Sequence, residues 1–417
     1  MEQRLIFHID VNSAYLSWSA VEKLKQKGTD AVDLRLVPSI IGGDISSRHG
    51  VVLAKSIPAK AYRIRTGEPV VHALKKCPTL VLEPPNHRLY EQYSKQLMKL
   101  LSRFCPAIEQ VSIDECYMDF TDYAPTARHS LPKNDSSSPL SPNGMSQNHE
   151  WAIEIASTIK DSVLKTLGFT VNIGISSNKL LAKMASDFEK PNRIHTLFPD
   201  EIQRKMWPLP VGELYMAGKS SVAVLAKLDV HTVGDLAKMD VAILTNHLKS
   251  HGHLLWKFAN GIDDSLVQTE ESDLKCIGNS TTLAQNAETS ADAKRVLKHL
   301  CSQVSSRLKS RGMFAGTIST EIKYATFANV SHQTKLVRAT CDEQTLYHTA
   351  CQLFDELWNN EPIRLLGVRT AKLVTELEPT QLNLFDMPQT LKEIKADKAL
   401  EQLQEKFGKD MIHKGFS

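Results

Sequence analysis

Two short acidic motifs, far apart in the chain, constrain what it can fold into more than any other feature. They are Asp10-Val11-Asn12-Ser13-Ala14-Tyr15 and Ser112-Ile113-Asp114-Glu115. Residues 5–9 (Leu-Ile-Phe-His-Ile) are apolar and β-branched, which predicts a buried strand delivering Asp10 to its end. Val111 and Ile113 alternate in a second strand-like run, with residues 117–120 as its returning hairpin partner. Carboxylates at the ends of neighbouring strands can converge. Three acids held close repel one another unless a cation lies between them, and a hard divalent ion such as Mg²⁺ prefers oxygen ligands. Two such ions roughly 3.5–4 Å apart carry out phosphoryl transfer. Taken singly, an acidic residue at a strand end is commonly a solvated turn residue; only the meeting of the two motifs points to chemistry.

A chain of 417 residues has room for about three domains. With 42% hydrophobic and 23% charged residues it has an ordinary globular composition. No run approaches the roughly 20 apolar residues that span a bilayer. The start, Met1-Glu2-Gln3-Arg4, lacks the basic-then-apolar layout of a signal peptide. The seven cysteines are scattered and never in Cys-x-x-Cys spacing, which predicts reduced thiols in the cytoplasm and no structural zinc. The net charge of +3 is uninformative, but its distribution is not. Residues 291–340 hold nine Lys/Arg, among them Lys294, Arg307, Lys323, Lys335 and Arg338, against only Asp292 and Glu321. A solvated helix face normally carries compensating acids; this excess makes the segment a candidate phosphate-backbone surface.

Along the chain, Ser13 is positioned to cap a helix carrying Ala14, Trp18, Val21 and Leu24, and helical pattern returns over 88–104. Residues 127–149 are rich in Ser, Pro and Asn and predict an unstructured insertion. A helix over 151–167 and a strand through Val171, Ile173 and Ile175 follow. Ser177 is then positioned to cap a helix that Pro191 stops. Residues 209–262 read as helices with short turns, and 275–378 as strand-helix-strand-strand-helix-strand, a separate α+β domain.

Six segments in order resemble the Y-family DNA polymerases, the translesion group. They are His8 through Tyr15; Ser112 through Glu115; Gly174 through Lys183 with its extension Ser186 through Asn192; Thr232 through Leu236; Gly278 through Thr281; and Arg364 through Val368. They span residues 5 to about 375. The resemblance implies an α+β right-hand polymerase. Its palm would be 1–22 and 80–206, with the insertion at 127–149, and its small fingers 23–79. A helical, helix-hairpin-helix-like thumb over 207–270, a little finger over 275–378 and a tail over 379–417 would follow. Asp10, Asp114 and Glu115 would be the catalytic carboxylates, binding two Mg²⁺ ions with the carbonyl of Val11. Tyr15 would be the steric gate against the ribose 2′-hydroxyl, and Lys190 a triphosphate ligand. The partners implied are primer–template DNA, deoxynucleoside triphosphates and the bacterial sliding clamp, with a monomeric enzyme and no membrane.

The small fingers depart from the common family pattern of a tyrosine and an arginine three residues apart: Ile57 and Lys60 stand there. Lys60 can still face the triphosphate as a point charge, without the fork of arginine. In the tail, Gln381, Leu382, Leu384 and Phe385 resemble the sliding-clamp-binding pentapeptide, a polar anchor with two apolar side chains suited to a preformed pocket. Two rivals belong to other classes. A non-catalytic DNA- and clamp-binding accessory protein would not need the carboxylates, Tyr15 and Lys190, and a nucleotide cyclase would leave the basic C-terminal segment without a purpose. The residues leave open the polymerase IV and polymerase V types of the family.

Overall fold

Strand β1 (Ile6–Val11) is buried along its whole length and lies at the centre of a five-stranded sheet. The computed structural model describes residues 4–28, 31–44, 50–123, 147–270 and 274–376. It divides into two units between Ser272 and Asp273.

In the first unit, helix α1 (Ala14–Lys27) follows β1 directly. A small sheet of β2 (Ser39–Gly42), β3 (Val52–Lys55) and β4 (Val81–Glu83) carries the short helix α2 (Ile57–Lys60) and α3 (Val70–Lys76). Its core is Ile40, Val52, Ala59, Ile64 and Val70. Helix α4 (His87–Leu101) leads to β5 (Ile108–Gln110) and β6 (Glu115–Asp119), and α5 (Gln147–Leu167) to β7 (Val171–Ser176). Then come α6 (Lys179–Asp187), β8 (Ile194–Thr196) and five helices: α7 (Ile202–Lys205), α8 (Lys219–Lys227), α9 (Val233–Lys238), α10 (Val241–Leu248) and α11 (Ser250–Ala259).

The large sheet runs β5-β6-β1-β7-β8, with β1 antiparallel to both neighbours. Side chains alternate across a strand, and here the alternation sorts core from site. Phe7, Ile9 and Val11 pack with Trp18 of α1, Tyr90 and Tyr93 of α4, and Ile159 and Val163 of α5. Burying a side chain of this size stabilises by about 1.5–3 kcal/mol. Ile6, His8 and Asp10 face the other way, toward α6. That helix lies directly on β7 because Gly174 has no side chain: a Cβ there would sit 2.0 Å from the Ala182 carbonyl oxygen.

The second unit comprises β9 (Cys276–Ala287), α12 (Ser290–Ser310), β10 (Phe314–Tyr324), β11 (Asn329–Thr340), α13 (Glu343–Leu357) and β12 (Ile363–Val374). Its antiparallel sheet runs β11-β10-β12-β9, with Leu297, Leu300 and Val304 of α12 and Leu346, Leu353 and Phe354 of α13 packed on one face. The expected α+β class, with a separate C-terminal sheet unit in that element order, is the one observed.

Several local expectations need correction. Residues 111–114 are not a strand: β5 ends at Gln110 and β6 begins at Glu115. The Ser112 hydroxyl donates to Asp114 Oδ1 at 2.6 Å and accepts from the Asp114 and Glu115 N–H groups at 3.3 and 3.1 Å. This local network outcompetes the ladder. Ser13 precedes α1 but makes no side-chain cap, its φ being 48°. Asn178, not Ser177, caps α6, accepting from the Leu181 N–H at 2.8 Å. That helix ends at Asp187, ahead of Pro191. Residues 147–149, expected in the insertion, open α5; the rest of the insertion and the tail from 377 onward lie outside the described residues.

Candidate active site

Asp10 and Glu115 are register partners across β1 and β6, so both carboxylates leave the same face of the sheet. The Val11 N–H donates to the Asp114 carbonyl at 3.1 Å, which ties the bend carrying Asp114 to the end of β1. These residues line one cavity of about 430 Å³, together with Tyr15 from α1, Lys55 from β3, Lys60 from α2, and Thr66. Two elements and a turn of the small sheet region, the start of α1 and two strands of the large sheet therefore meet in one place.

Lysine ammonium groups sit among the carboxylates. Lys190 Nζ donates to Asp10 Oδ2 at 2.5 Å, and Lys183 Nζ donates to Glu115 Oε1 at 2.8 Å while lying 3.7 Å from Asp10 Oδ2. Asp187 pairs with both lysines, at 3.4 Å from Lys183 and 2.8 Å from Lys190. Burial pushes the Asp10 carboxyl above its usual range, outweighing both lysines. Burial also acts upward on Glu115, but His8 and Lys183 overcome it and hold that carboxyl at about 2. Of these two, Lys183 makes the hydrogen bond; His8 Nε2 lies 3.7 Å from Glu115 Oε2, beyond hydrogen-bond reach. His8 itself is buried, which lowers its pKa, and its Nδ1 meets the Ser186 hydroxyl at 2.8 Å. Burial lowers the ammonium pKa of Lys183 and Lys190, and their carboxylate partners more than restore it, so both are raised.

Among the described residues, no three His, Cys, Asp or Glu side chains converge closely enough to hold a metal ion. Each of the three carboxylates is instead engaged by a protein group. Lys190 occupies Asp10, Lys183 occupies Glu115, and Asp114 Oδ1 is taken by Ser112. The donor set nevertheless suits a hard divalent cation, being all oxygen and drawn from adjoining strand ends. Asp10, buried with its carboxyl raised, is the group such a cation would relieve most.

Tyr15 is packed by two aromatic neighbours. Its ring stacks on Tyr90 at 4.3 Å and 9°, and His87 meets it edge-on at 6.0 Å. It packs against the core and lines the cavity at once. Asp10, Val11, Tyr15, Lys60, Asp114 and Glu115 thus share the cavity, and Lys190 joins them through Asp10. Three neighbours did not emerge from sequence: Lys183, Asp187 and Lys55. Lys179, Lys183 and Asp187 share one face of α6 by i, i+4 spacing, opposite the buried Leu181 and Ala185. In sequence that face is indistinguishable from a solvated one.

The basic residues of the second unit divide between two sides. Lys323, Leu365 and Thr282 are cross-strand partners, as are Thr317, Lys335 and Ala371, and Ser319, Arg369 and Gly278. The buried Ile318, Thr320 and Ile322 alternate with these β10 residues and face the helices. Lys323, Lys335 and Arg369 therefore lie on the open face. Lys294 and Arg307 sit on α12 instead: Lys294 pairs with Asp355 at 2.8 Å, and Arg307 donates to the Gly278 carbonyl at 2.9 Å. Arg338 is exposed on edge strand β11. Gln381, Leu382, Leu384 and Phe385 lie outside the described residues.

The impB/mucB/samB family model matches residues 9–187, and that family's C-terminal domain matches residues 274–384. DNA polymerase IV of Clostridium acetobutylicum is 46% identical over 98% of this chain and 97% of its own length. DNA polymerase IV 1 of Bacillus subtilis is 33% identical over 99% of this chain and 93% of its own. A solved Y-family DNA polymerase chimera superposes with a TM-score of 0.73 at 22% identity, covering 89% of this chain and 100% of that one. By sequence over nearly its full length, with the fold in agreement, the chain belongs to the impB/mucB/samB family, the Y-family of translesion DNA polymerases.

Proposed function

We propose that this protein is a translesion DNA polymerase that adds deoxynucleotides to a primer 3′-hydroxyl with two Mg²⁺ ions held by Asp10, Asp114, Glu115 and the Val11 carbonyl. The observation that carries this reading is the pairing of Asp10 with Glu115 across β1 and β6, on the floor of a cavity walled by Tyr15 and two lysines. When bound, such ions supply the positive charge that favours ionisation of the primer hydroxyl and departure of pyrophosphate. The protein's own groups do the rest. Lys60 and Lys190 receive the triphosphate, and for this Lys190 exchanges its contact with Asp10 for phosphate oxygens. Tyr15, clamped by Tyr90, presents a fixed wall that leaves no room for a ribose 2′-hydroxyl.

In this reading the large sheet is the palm, the small sheet the fingers, α8–α11 the thumb and the second unit the little finger. Its open face, with Lys323, Lys335 and Arg369, tracks phosphates and so reads no sequence. The tail residues Gln381, Leu382, Leu384 and Phe385 tether the enzyme to the sliding clamp. Among the described residues, no helix is long and apolar enough to cross a membrane.

The deciding experiment is primer extension with Mg²⁺ and all four deoxynucleotides, on undamaged and abasic templates, beside Asp114→Ala. The metal role predicts that the variant loses about 10³-fold or more in rate, several kcal/mol of transition-state stabilisation, while still binding primer–template. Comparable synthesis by Asp114→Ala would reject the assignment. Replacing Leu384 and Phe385 by alanine should abolish stimulation by the clamp and leave basal extension intact.

A further inference from the structure

On β7, Asn172 stands opposite Asp10, as Glu115 does on β6. Its side chain is completely buried, and every hydrogen-bonding position on its amide is filled. Nδ2 donates to the carbonyls of Ser186 at 3.0 Å and Glu189 at 2.6 Å. Oδ1 accepts from Asn12 Nδ2 at 3.0 Å and from the Arg193 N–H at 3.2 Å. Asn12 is also buried, and its Oδ1 accepts from the Thr170 hydroxyl and the Asn192 N–H, each at 2.9 Å. Two amides thus hold four backbone groups, Ser186 and Glu189 before Lys190, and Asn192 and Arg193 after it.

The carbonyls and N–H groups of a turn after a helix need partners of some kind. Water or an exposed serine would serve. Here the partners are instead the residue facing Asp10 on β7 and the residue two beyond it along the chain from β1. The turn is therefore tied to the two strands whose ends form the site. Lys190 has its backbone fixed on both sides and its side chain directed to Asp10 Oδ2.

We propose that Asn172, acting with Asn12, is a positioning residue that fixes the backbone of Lys190, so that its ammonium can pass from Asp10 to the triphosphate of the incoming nucleotide, and thereby sets the affinity for that triphosphate. This rests on the reading of Lys190 as a triphosphate ligand given above. A charge-assisted contact depends steeply on geometry, so a loosened turn weakens it without removing the lysine.

The test is the Kd of the complementary deoxynucleoside triphosphate for the full chain bound to a dideoxy-terminated primer–template with Mg²⁺, a measurement without chemistry. Asn172→Ser should weaken nucleotide binding about tenfold, the scale of one charge-assisted hydrogen bond, with primer–template binding unchanged. In a Lys190→Ala background, Asn172→Ser should add nothing further, because the two act through one contact. Additive losses, or an unchanged Kd in Asn172→Ser while Lys190→Ala weakens binding, would overturn the positioning role alone. An unchanged Kd in Lys190→Ala would instead remove the triphosphate role of that lysine, and the positioning role with it. Should Asn172→Ser not fold, Asn12→Ser, which releases the Asn192 side of the turn, carries the same cycle with the same outcomes.

Discussion

Asp10 and Glu115 face each other across two strands, yet their carboxyls are displaced in opposite directions. Asp10 is 7% exposed, and burial raises it even with Lys190 at 2.5 Å. Glu115 is more open to solvent at the cavity edge; burial works against its charge there too, but His8 and Lys183 prevail and draw it down to about 2. One carboxylate is thus fully compensated by the protein and the other is not. The under-compensated one also carries the more exchangeable lysine, since Lys190 is 30% exposed and Lys183 only 12%.

Lys183 acts as a resident counter-ion. Lys183→Ala should leave Asp10 and Glu115 facing each other without it and destabilise the metal-free protein by about 1.5–3 kcal/mol, the range for a hydrogen bond to a charged group. Added Mg²⁺ should recover part of that loss, because a cation between the carboxylates replaces the ammonium. Thermal melts with and without Mg²⁺ read this directly, and an equal loss in both would argue against a shared cation site.

Tyr15 is both wall and packing residue. Tyr15→Ala should admit ribonucleotides, measured as the ratio of ribo- to deoxynucleotide incorporation. It should also lose the stack on Tyr90, a contact of about 0.5–1.5 kcal/mol beyond its buried area. Unchanged sugar discrimination in a folded variant would leave Tyr15 with packing alone.

In the second unit, charge count and charge placement make different predictions. Lys323→Ala and Lys335→Ala, on the open sheet face, should each weaken primer–template binding and reduce the salt dependence by about one phosphate contact. Lys294→Ala, on α12 and paired with Asp355, should change neither. Equal effects from all three, in binding titrations over a salt series, would contradict the two-sided division.

Much of this protein is legible in its sequence, where local chemistry and local geometry agree. The apolar run from Leu5 to Ile9 already marks a buried strand that delivers Asp10 to its end, while the sorting of its residues between core and site rests on strand register. The order of elements over 275–378 follows from periodicity alone. The bend at 112–114 is hidden in the sequence because Val111 and Ile113 alternate like a strand, while the Ser112 hydroxyl offers the backbone a better local partner. The cap falls on Asn178 rather than Ser177 for a similar reason, two adjacent polar side chains being equally suited by residue type.

The strand that carries Asp10, the six motifs in family order, the α+β class and the basic excess over 291–340 can all be read along the chain. These depend on residues near one another in the chain. It takes the folded chain to bring Lys183 and Lys190 both to the carboxylates, to stand Asn172 across from Asp10, and to set Lys294 away from the sheet face holding Lys323 and Lys335. In the first unit these are meetings of residues from different elements, fixed by strand register and by α6 resting on the bare backbone of Gly174; in the second, the ion pair with Asp355 of α13 holds Lys294 on the helical layer. No local pattern encodes which face of a helix will find a carboxylate; packing does.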